Sequence, residues 1–261
     1  MFHIKICGIT TTEDALMVAR AGADAIGVNF YPRSPRYVSI EQALAISEVL
    51  PAEVVKVGLF VDSPAPEVCA TFDRLGLDLV QLHGAEPPEF LLRLGDRPVM
   101  RAFRVGPGGL DPVVQYLDEC RQLACLPQLV LLDAYVPGQH GGTGTLTDWS
   151  VARKYQQEVV SPPMVLAGGL TPENVAQAIH ATGARAVDTA SGVESAPGRK
   201  DPAAASAFIQ AVHAALQTPQ DRDEAVLGIQ EGFADMEAGR IRPLAQVDAE
   251  LRRKHDIRRD T

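Results

Sequence analysis

Two side chains that could move protons lie at the ends of predicted strands far apart in the chain. Cys7 lies in an apolar run over residues 3–10 and is followed at once by Gly8, beside which another group can approach closely. Such a thiol is a candidate base or nucleophile, although free cysteines are also common as small core residues. Asp133 ends a second apolar run, where loss of water disfavours the carboxylate and keeps the group available as a general acid. An aspartate there could equally cap the following loop.

Loops of small residues follow three of the later strands and could hold a phosphate. Gly168 and Gly169 end one apolar run before a predicted helix, and Ser191 and Gly192 follow the next run. Backbone N–H groups and a helix N-terminus in such loops can bind a phosphate, whereas the alternative is that the glycines only make tight turns. Two such loops on neighbouring strands favour a phosphate site. A third loop, which contains Gly142, could also fold over a bound ligand as a lid.

Two further polar residues follow earlier strands. Arg36 lies in a loop stiffened by Pro32 and Pro35, and a guanidinium held in this way suits a planar carboxylate. The alternative for Arg36 is a solvated surface charge. His83 ends the fourth apolar run, where we favour a structural or substrate-positioning role over catalysis.

Several other kinds of catalytic site are absent from the sequence. It contains no GxSxG and no GxxxxGK[ST] motif, and no His/Asp cluster has metal-ligand spacing. Lys5 and Lys56 lie inside predicted strands and do not end one in a Schiff-base setting. What remains is an isomerase or lyase that needs no cofactor and no metal and acts by acid–base chemistry on a phosphorylated small molecule.

Eight strand–helix units over about 216 residues would position these side chains. The strands are continuous apolar runs, as expected for a parallel sheet with both faces buried. Regular alternation allows either a doubly wound open sheet or a closed (β/α)8 TIM barrel, and the count of eight units favours the TIM barrel. Chemistry in such barrels lies at the carboxyl ends of the strands, so Cys7 and Asp133 should face each other across the barrel mouth. The predicted strands cover residues 3–10, 25–30, 54–61, 79–83, 99–105, 129–133 and 164–167, with an eighth from 186. Thr12 is the predicted N-cap of the first helix, and Ser39 with Gln42 three residues later predicts the start of the second.

Composition limits the partners. The chain has 261 residues, 46% hydrophobic and 22% charged, and a net charge of −9, which argues against nucleic acid as the main partner. No apolar run reaches the roughly 20 residues of a membrane span, and we expect no membrane partner. The N-terminus lacks the features of a secretory signal, so the four cysteines are expected to be reduced thiols in a cytoplasm. We expect a monomer or a homodimer.

Six stretches in order from residue 3 to about 216 resemble the phosphoribosylanthranilate isomerase family. They are KICGIT at 5–10, GVNF at 27–30 with SPRYV at 34–38, VGLFV at 57–61, VQLHG at 80–84, LD at 132–133 with GGTG at 141–144, and LAGGL at 166–170. The family has the (β/α)8 fold. The resemblance implies the Amadori rearrangement of tryptophan biosynthesis, in which N-(5-phosphoribosyl)anthranilate becomes 1-(2-carboxyphenylamino)-1-deoxyribulose 5-phosphate.

The resemblance also implies roles for residues. It makes Asp133 the general acid that protonates the ribose ring oxygen, Cys7 the general base that removes the C2 proton, and Arg36 the partner of the anthranilate carboxylate. The loop after the eighth strand departs from the family pattern at Ala190, so we assign the phosphate contact to Ser191 and Gly192. Another phosphate-binding barrel isomerase is the competing interpretation, but its paired aspartates are not found, since Cys7 ends the first strand. The predicted substrate-binding residues are Arg36, His83, Gly142, Gly168, Gly169, Asp188, Ser191 and Gly192.

The C-terminal stretch lies outside this pattern. We place a boundary at Thr218-Pro219, which gives a barrel domain over 1–218 and an extension over 219–261. Apolar residues at helical spacing predict two short amphipathic helices in the extension. The stretch from FADMEAGR at 233–240 through ELRR at 250–253 is similar to the C-terminal helices of small bacterial antitoxin proteins. The alternative, which we prefer, is a solvated helical appendage packing on the barrel.

Overall fold

Parallel strands close into a barrel in the order of the chain, as predicted. The computed structural model describes residues 2–105, 109–133, 149–159 and 162–217. Within these ranges eight strands pair in sequence, and the barrel closes because the first strand pairs with both the second and the eighth. The strands are β1 (Ile4–Cys7), β2 (Ala25–Asn29), β3 (Val55–Phe60), β4 (Leu79–Leu82), β5 (Val99–Arg104), β6 (Leu129–Asp133), β7 (Met164–Ala167) and β8 (Val187–Thr189).

Helices follow the strands and cover the outside of the barrel. Ser39 begins the second helix with the predicted capping box, in which its hydroxyl accepts from the Gln42 N–H and the Gln42 side chain accepts from the Ser39 N–H. The first helix is capped by Thr11, and the prediction of Thr12 was wrong by one residue because the Thr11 hydroxyl accepts from Asp14. The helices are α1 (Thr12–Arg20), α2 (Ile40–Val49), α3 (Ala65–Leu75), α4 (Pro88–Leu92), α5 (Asp111–Gln122), α6 (Ser150–Glu158), α7 (Val175–Thr182) and α8 (Pro202–Leu216).

Alternate residues of each strand face the helices or the barrel interior. On β1, Ile4 and Ile6 belong to the large core between strands and helices. A smaller apolar cluster, including Ala25, Val57 and Leu131, fills the interior. Lys5 and Cys7 alternate with the two isoleucines, so both side chains point into the barrel.

The structure corrects the predicted element ends. The first strand stops at Cys7, because Gly8 adopts a φ of +73° and turns the chain out of the sheet. A turn at Ser191–Val193 and an antiparallel hairpin, β9 (Glu194–Ala196) with β10 (Arg199–Lys200), follow β8 and were not predicted. The two strands of this hairpin are too short and too polar to show the alternation of apolar residues from which a strand is predicted.

Met1–Leu216 forms one compact unit. None of the helices within the described ranges is long and apolar enough to cross a membrane. The predicted lid loop with Gly142, and the extension over 219–261 with its two predicted helices, lie outside the described residues.

Candidate active site

A cavity of about 860 Å³ opens at the carboxyl ends of the barrel strands. The ends of distant strands meet here because the closed parallel barrel brings them all to one rim. Gly142 lies outside the described residues, and Gly192 is not among the lining residues. The predicted site residues that line the cavity are Cys7, Arg36, His83, Asp133, Gly168, Gly169, Asp188 and Ser191.

Cys7 lies at the bottom of this cavity, 6% exposed, where its strand neighbour is Gly27. A Cβ on Gly27 would lie 2.8 Å from the Cys7 sulfur and 3.2 Å from Cε of Lys5. The missing side chain of Gly27 therefore makes room for both groups. Burial raises the pKa of the Cys7 thiol above its usual value and outweighs the positive charges of Lys5 and Lys200, which act to lower it, while Asp188 raises it further.

A buried ion pair lies below Cys7 in the barrel interior. Lys5 Nζ donates to Asp188 Oδ1 over 2.8 Å, and the Lys5 side chain is 0% exposed. Burial disfavours the Lys5 ammonium, but Asp188 and Cys7 outweigh this and hold the pKa of Lys5 above its usual value. Burial raises the pKa of Asp188, with Lys5 opposing. Asp188 thus lines the cavity with one carboxylate oxygen already bound to Lys5.

His83 faces Asp133 across the rim as a neutral ring. Its Nε2 lies 3.9 Å from Asp133 Oδ2. Burial, with the positive charges of Arg104, Lys5 and Arg101, lowers the pKa of His83 to about 4, so the His83 ring is uncharged at neutral pH. The amide nitrogen of Gln81 lies 3.5 Å from Nδ1, on the side of the ring away from Asp133.

Arg36 is held by a carboxylate from the hairpin that was not predicted. Its Nε and Nη2 donate to the two oxygens of Glu194 at 2.7 and 2.6 Å. Lys200 Nζ donates to the same Glu194 at 2.9 Å, to the Cys7 carbonyl at 2.7 Å and to the Ala190 carbonyl at 3.0 Å. The Arg36 side chain is 23% exposed, so the interpretation as a solvated surface charge was wrong.

The loops after β7 and β8 lie side by side. Gly168 and Gly169 have φ values of +94° and +63°, which favour glycine. The Thr189 hydroxyl donates to the carbonyl of Leu170 over 2.7 Å and ties the two loops together. Gly192 packs against that same carbonyl so closely that a Cβ there would overlap it. Gly192 therefore allows the two loops to approach, while Ser191 reaches the cavity.

Sequence reasoning missed Lys5, Gln81, Glu194 and Lys200. Lys5 was set aside because it lies inside a strand. The alternation of β1, however, puts it on the same face as Cys7, a signal that was available. Glu194 and Lys200 gave no signal, because their partners come from residues far along the chain and only the closed barrel brings them together.

The described part of the chain holds no cluster of three or more His, Cys, Asp or Glu side chains arranged to bind a metal ion.

Comparison with known proteins agrees with this geometry. The family model described as N-(5'phosphoribosyl)anthranilate (PRA) isomerase matches residues 4–211. The N-(5'-phosphoribosyl)anthranilate isomerase of Geobacter metallireducens is 47% identical over 211 residues, which cover 80% of this chain and 98% of the relative. That of Neisseria gonorrhoeae is 45% identical over 208 residues, which cover 78% and 93%.

Solved structures give the same result. The phosphoribosyl anthranilate isomerase of Thermotoga maritima superposes with a TM-score of 0.72 at 39% identity and covers 82% of this chain and all of that one. A second such isomerase, at 37% identity and a TM-score of 0.70 with the same coverage, was solved in complex with reduced 1-(o-carboxyphenylamino)-1-deoxyribulose 5-phosphate. On the sequence match, the barrel and the arrangement of its rim, this chain belongs to the N-(5'-phosphoribosyl)anthranilate isomerase family of tryptophan biosynthesis.

Proposed function

We propose that this enzyme converts N-(5-phosphoribosyl)anthranilate to 1-(2-carboxyphenylamino)-1-deoxyribulose 5-phosphate, with Cys7 as general base and Asp133 as general acid. One observation carries the assignment. The two groups come from β1 and β6, and both line one cavity at the rim of a barrel of this family. An acid and a base on one cavity suit proton transfer at two positions of a small substrate.

The reaction needs two proton transfers and a final ketonisation. Asp133 donates its proton to the ribose ring oxygen, the C1–O bond breaks, and the nitrogen lone pair forms the protonated Schiff base. The Cys7 thiolate then takes the C2 proton, and the electron pair of that C–H bond moves to form the enolamine. The enolamine takes a proton at C1 as its C2 hydroxyl becomes the ketone, which gives the product.

The surroundings of the two groups support these roles. The neutral His83 places Nε2 at 3.9 Å from the Asp133 carboxylate that remains after proton donation. The Lys5 and Lys200 ammonium groups favour the ionised form of Cys7, which burial alone disfavours. Each group therefore has a partner for the charged state that its step creates or requires.

Binding of the substrate is assigned to the rest of the rim. Arg36 keeps its Nη1 edge for the anthranilate carboxylate, since Glu194 occupies Nε and Nη2. The glycine loops after β7 and β8, with Ser191, are assigned to the phosphate. His83 and Asp188 complete the predicted substrate-binding set, together with Gly142 and Gly192. The phosphorylated substrate, the monomer or homodimer and the cytoplasmic location remain predictions.

Two substitutions test the catalytic pair. We expect Cys7→Ser and Asp133→Asn each to lower kcat by at least ~10², the usual contribution of a positioned acid or base. Turnover is measured by the change in anthranilate fluorescence with the phosphoribosylated substrate. The matched control is Cys69→Ser, a half-exposed thiol on α3, which should leave kcat unchanged. Near-normal turnover in Cys7→Ser or Asp133→Asn would remove that residue from its role.

A third substitution tests carboxylate binding. Arg36→Ala should mainly raise KM, because the contact is present in both the bound substrate and the transition state. If kcat alone fell, Arg36 would be acting on the transition state and the binding role would be wrong.

A further inference from the structure

The base of the proposed reaction lies directly above a buried cation. Lys5 and Cys7 are two residues apart on β1, so their side chains leave the same face of the strand. Lys5 is also paired in register with Asp188 on β8, and its ammonium donates to that carboxylate over 2.8 Å. Both ends of the pair lie in the barrel interior, with Lys5 below the cavity that Cys7 lines and Asp188 in the cavity wall.

The Lys5 side chain also passes close to the sulfur. The position that a Cβ of Gly27 would occupy lies 2.8 Å from Cys7 Sγ and 3.2 Å from Lys5 Cε, so those two atoms are at most about 6 Å apart. The Lys5 ammonium is one bond beyond Cε, so its charge acts on the Cys7 thiol as well as on Asp188.

The other charges that face Cys7 in the described residues are committed elsewhere. Lys200 contacts the Cys7 carbonyl rather than its sulfur, and both Lys200 and Arg36 are bound to Glu194. Asp188 is the one acidic group among them, and it acts against ionisation of the thiol. Lys5 is the cation that shares a strand face with the sulfur.

We propose that Lys5 is a positioning residue that supplies the positive charge against which Cys7 ionises, and that Asp188 holds the Lys5 ammonium in place beneath it. The inference rests on Cys7 being the base of the proposed function. It identifies a charge that opposes the effect of burial on a thiol that is 6% exposed. It also gives a reason for a buried lysine and aspartate inside the barrel, beside apolar side chains such as Ala25 and Val57.

The two partners have opposite effects on Cys7, which makes the proposal testable. Lys5→Met removes the nearby cation, so the pKa of Cys7 should rise by about 1 unit or more. Asp188→Asn removes the nearby anion and frees the ammonium for the sulfur, so the pKa of Cys7 should fall. A purely structural role for the pair would not move the two variants in opposite directions.

The readout is the pH dependence of Cys7 alkylation by iodoacetamide in the full chain, with the Cys7 peptide followed by mass spectrometry. Only the thiolate displaces iodide, so the inflection of rate against pH reports the Cys7 pKa without any need for activity. Lys56→Met, on β3, is the matched control and should leave the inflection unchanged. Unchanged inflections in both Lys5→Met and Asp188→Asn would overturn the proposal.

A second variant covers the case in which Lys5→Met does not fold because Asp188 is left buried and unpaired. Lys5→Met with Asp188→Asn keeps the interior neutral, and it should still raise the Cys7 inflection, because the cation that it removes shares a strand face with the thiol. A folded double variant with the normal inflection would overturn the proposal. If the inflection of Cys7 alkylation moves in the variants but the acid limb of the pH profile of kcat/KM does not move with it, Lys5 does control the ionisation of Cys7. In that case Cys7 is not the base, and it is the proposed function that is overturned.

Discussion

The Glu194 carboxylate holds Arg36 and Lys200 together, and Glu194→Gln is the perturbation that tests this arrangement most directly. The Glu194 side chain is 4% exposed and accepts three hydrogen bonds from the two cations at 2.6 to 2.9 Å. Glutamine keeps the shape but loses the negative charge. Lys200, with a side chain that is 0% exposed, is then left as a buried cation without its counterion.

The expected cost follows from this burial. Removal of one partner from a buried ion pair costs roughly 3–5 kcal/mol, and the amide oxygen of glutamine still accepts one hydrogen bond, which puts the expectation at about 3 kcal/mol. With a urea m-value of about 2–3 kcal/mol/M, the unfolding midpoint should fall by roughly 1–1.5 M.

Burial alone would raise the pKa of Glu194, but Arg36 and Lys200 outweigh it and hold the pKa below its usual value. The stabilisation that Glu194 gives is therefore present above its unfolded pKa of about 4.3 and is lost as the pH falls through its lower folded pKa. Glu194→Gln should remove that part of the acid sensitivity.

Urea titration followed by circular dichroism measures the loss of stability, and steady-state kinetics measures the effect on binding. Because Arg36 loses its anchor, KM should rise by about tenfold, which corresponds to roughly 1.4 kcal/mol of binding. Glu53→Gln, an exposed residue before β3, is the control for charge removal and should change neither quantity. A Glu194→Gln protein with the normal urea midpoint and KM would refute the reasoning that the hairpin positions Arg36.

Three further outcomes follow. Gly27→Ala should lower kcat in the fluorescence assay and lower the free energy of unfolding in urea titration by about 1–3 kcal/mol, because its Cβ would lie 2.8 Å from the Cys7 sulfur. His83 has a pKa of about 4 in the folded protein against 6.5 in the unfolded chain, so the unfolded chain binds the proton more tightly. The free energy of unfolding should therefore fall by up to about 3 kcal/mol as the pH falls from 6.5 to 4. His83→Gln should remove that loss, as measured by urea titration at each pH. A chain ending at 218 should keep full isomerase activity, because the Geobacter metallireducens relative is 98% covered by 80% of this chain; lost activity would contradict this.

Much of the architecture could be predicted because it depends on local pattern. Continuous apolar runs in regular alternation with helical periods identified all eight barrel strands, and the Ser39 capping box identified the start of α2. The ends of elements were less predictable. The first strand was extended to Thr10, because apolar character continues past Gly8, whereas the backbone leaves the sheet there.

The residues of the rim were predictable for one physical reason. In a parallel barrel every carboxyl end reaches the same edge, so chemistry-bearing residues at strand ends must meet, and Cys7, Asp133 and His83 do line one cavity. The residues that support them were not predictable in this way. Glu194 and Lys200 lie in a hairpin with no hydrophobic period and act on partners from the other end of the chain.

Cys7 and Lys5 illustrate what the sequence by itself determined and what only the tertiary structure decided. Residue order was sufficient to place a thiol at the end of the first strand of a (β/α)8 barrel and to give the family resemblance. It could not show which charge lies beside that thiol. Lys5 meets Asp188 across 183 residues of sequence, and it does so only because β8 closes the barrel against β1. Electrostatic interactions depend on distance in space and on burial, and both are set only when the chain is folded.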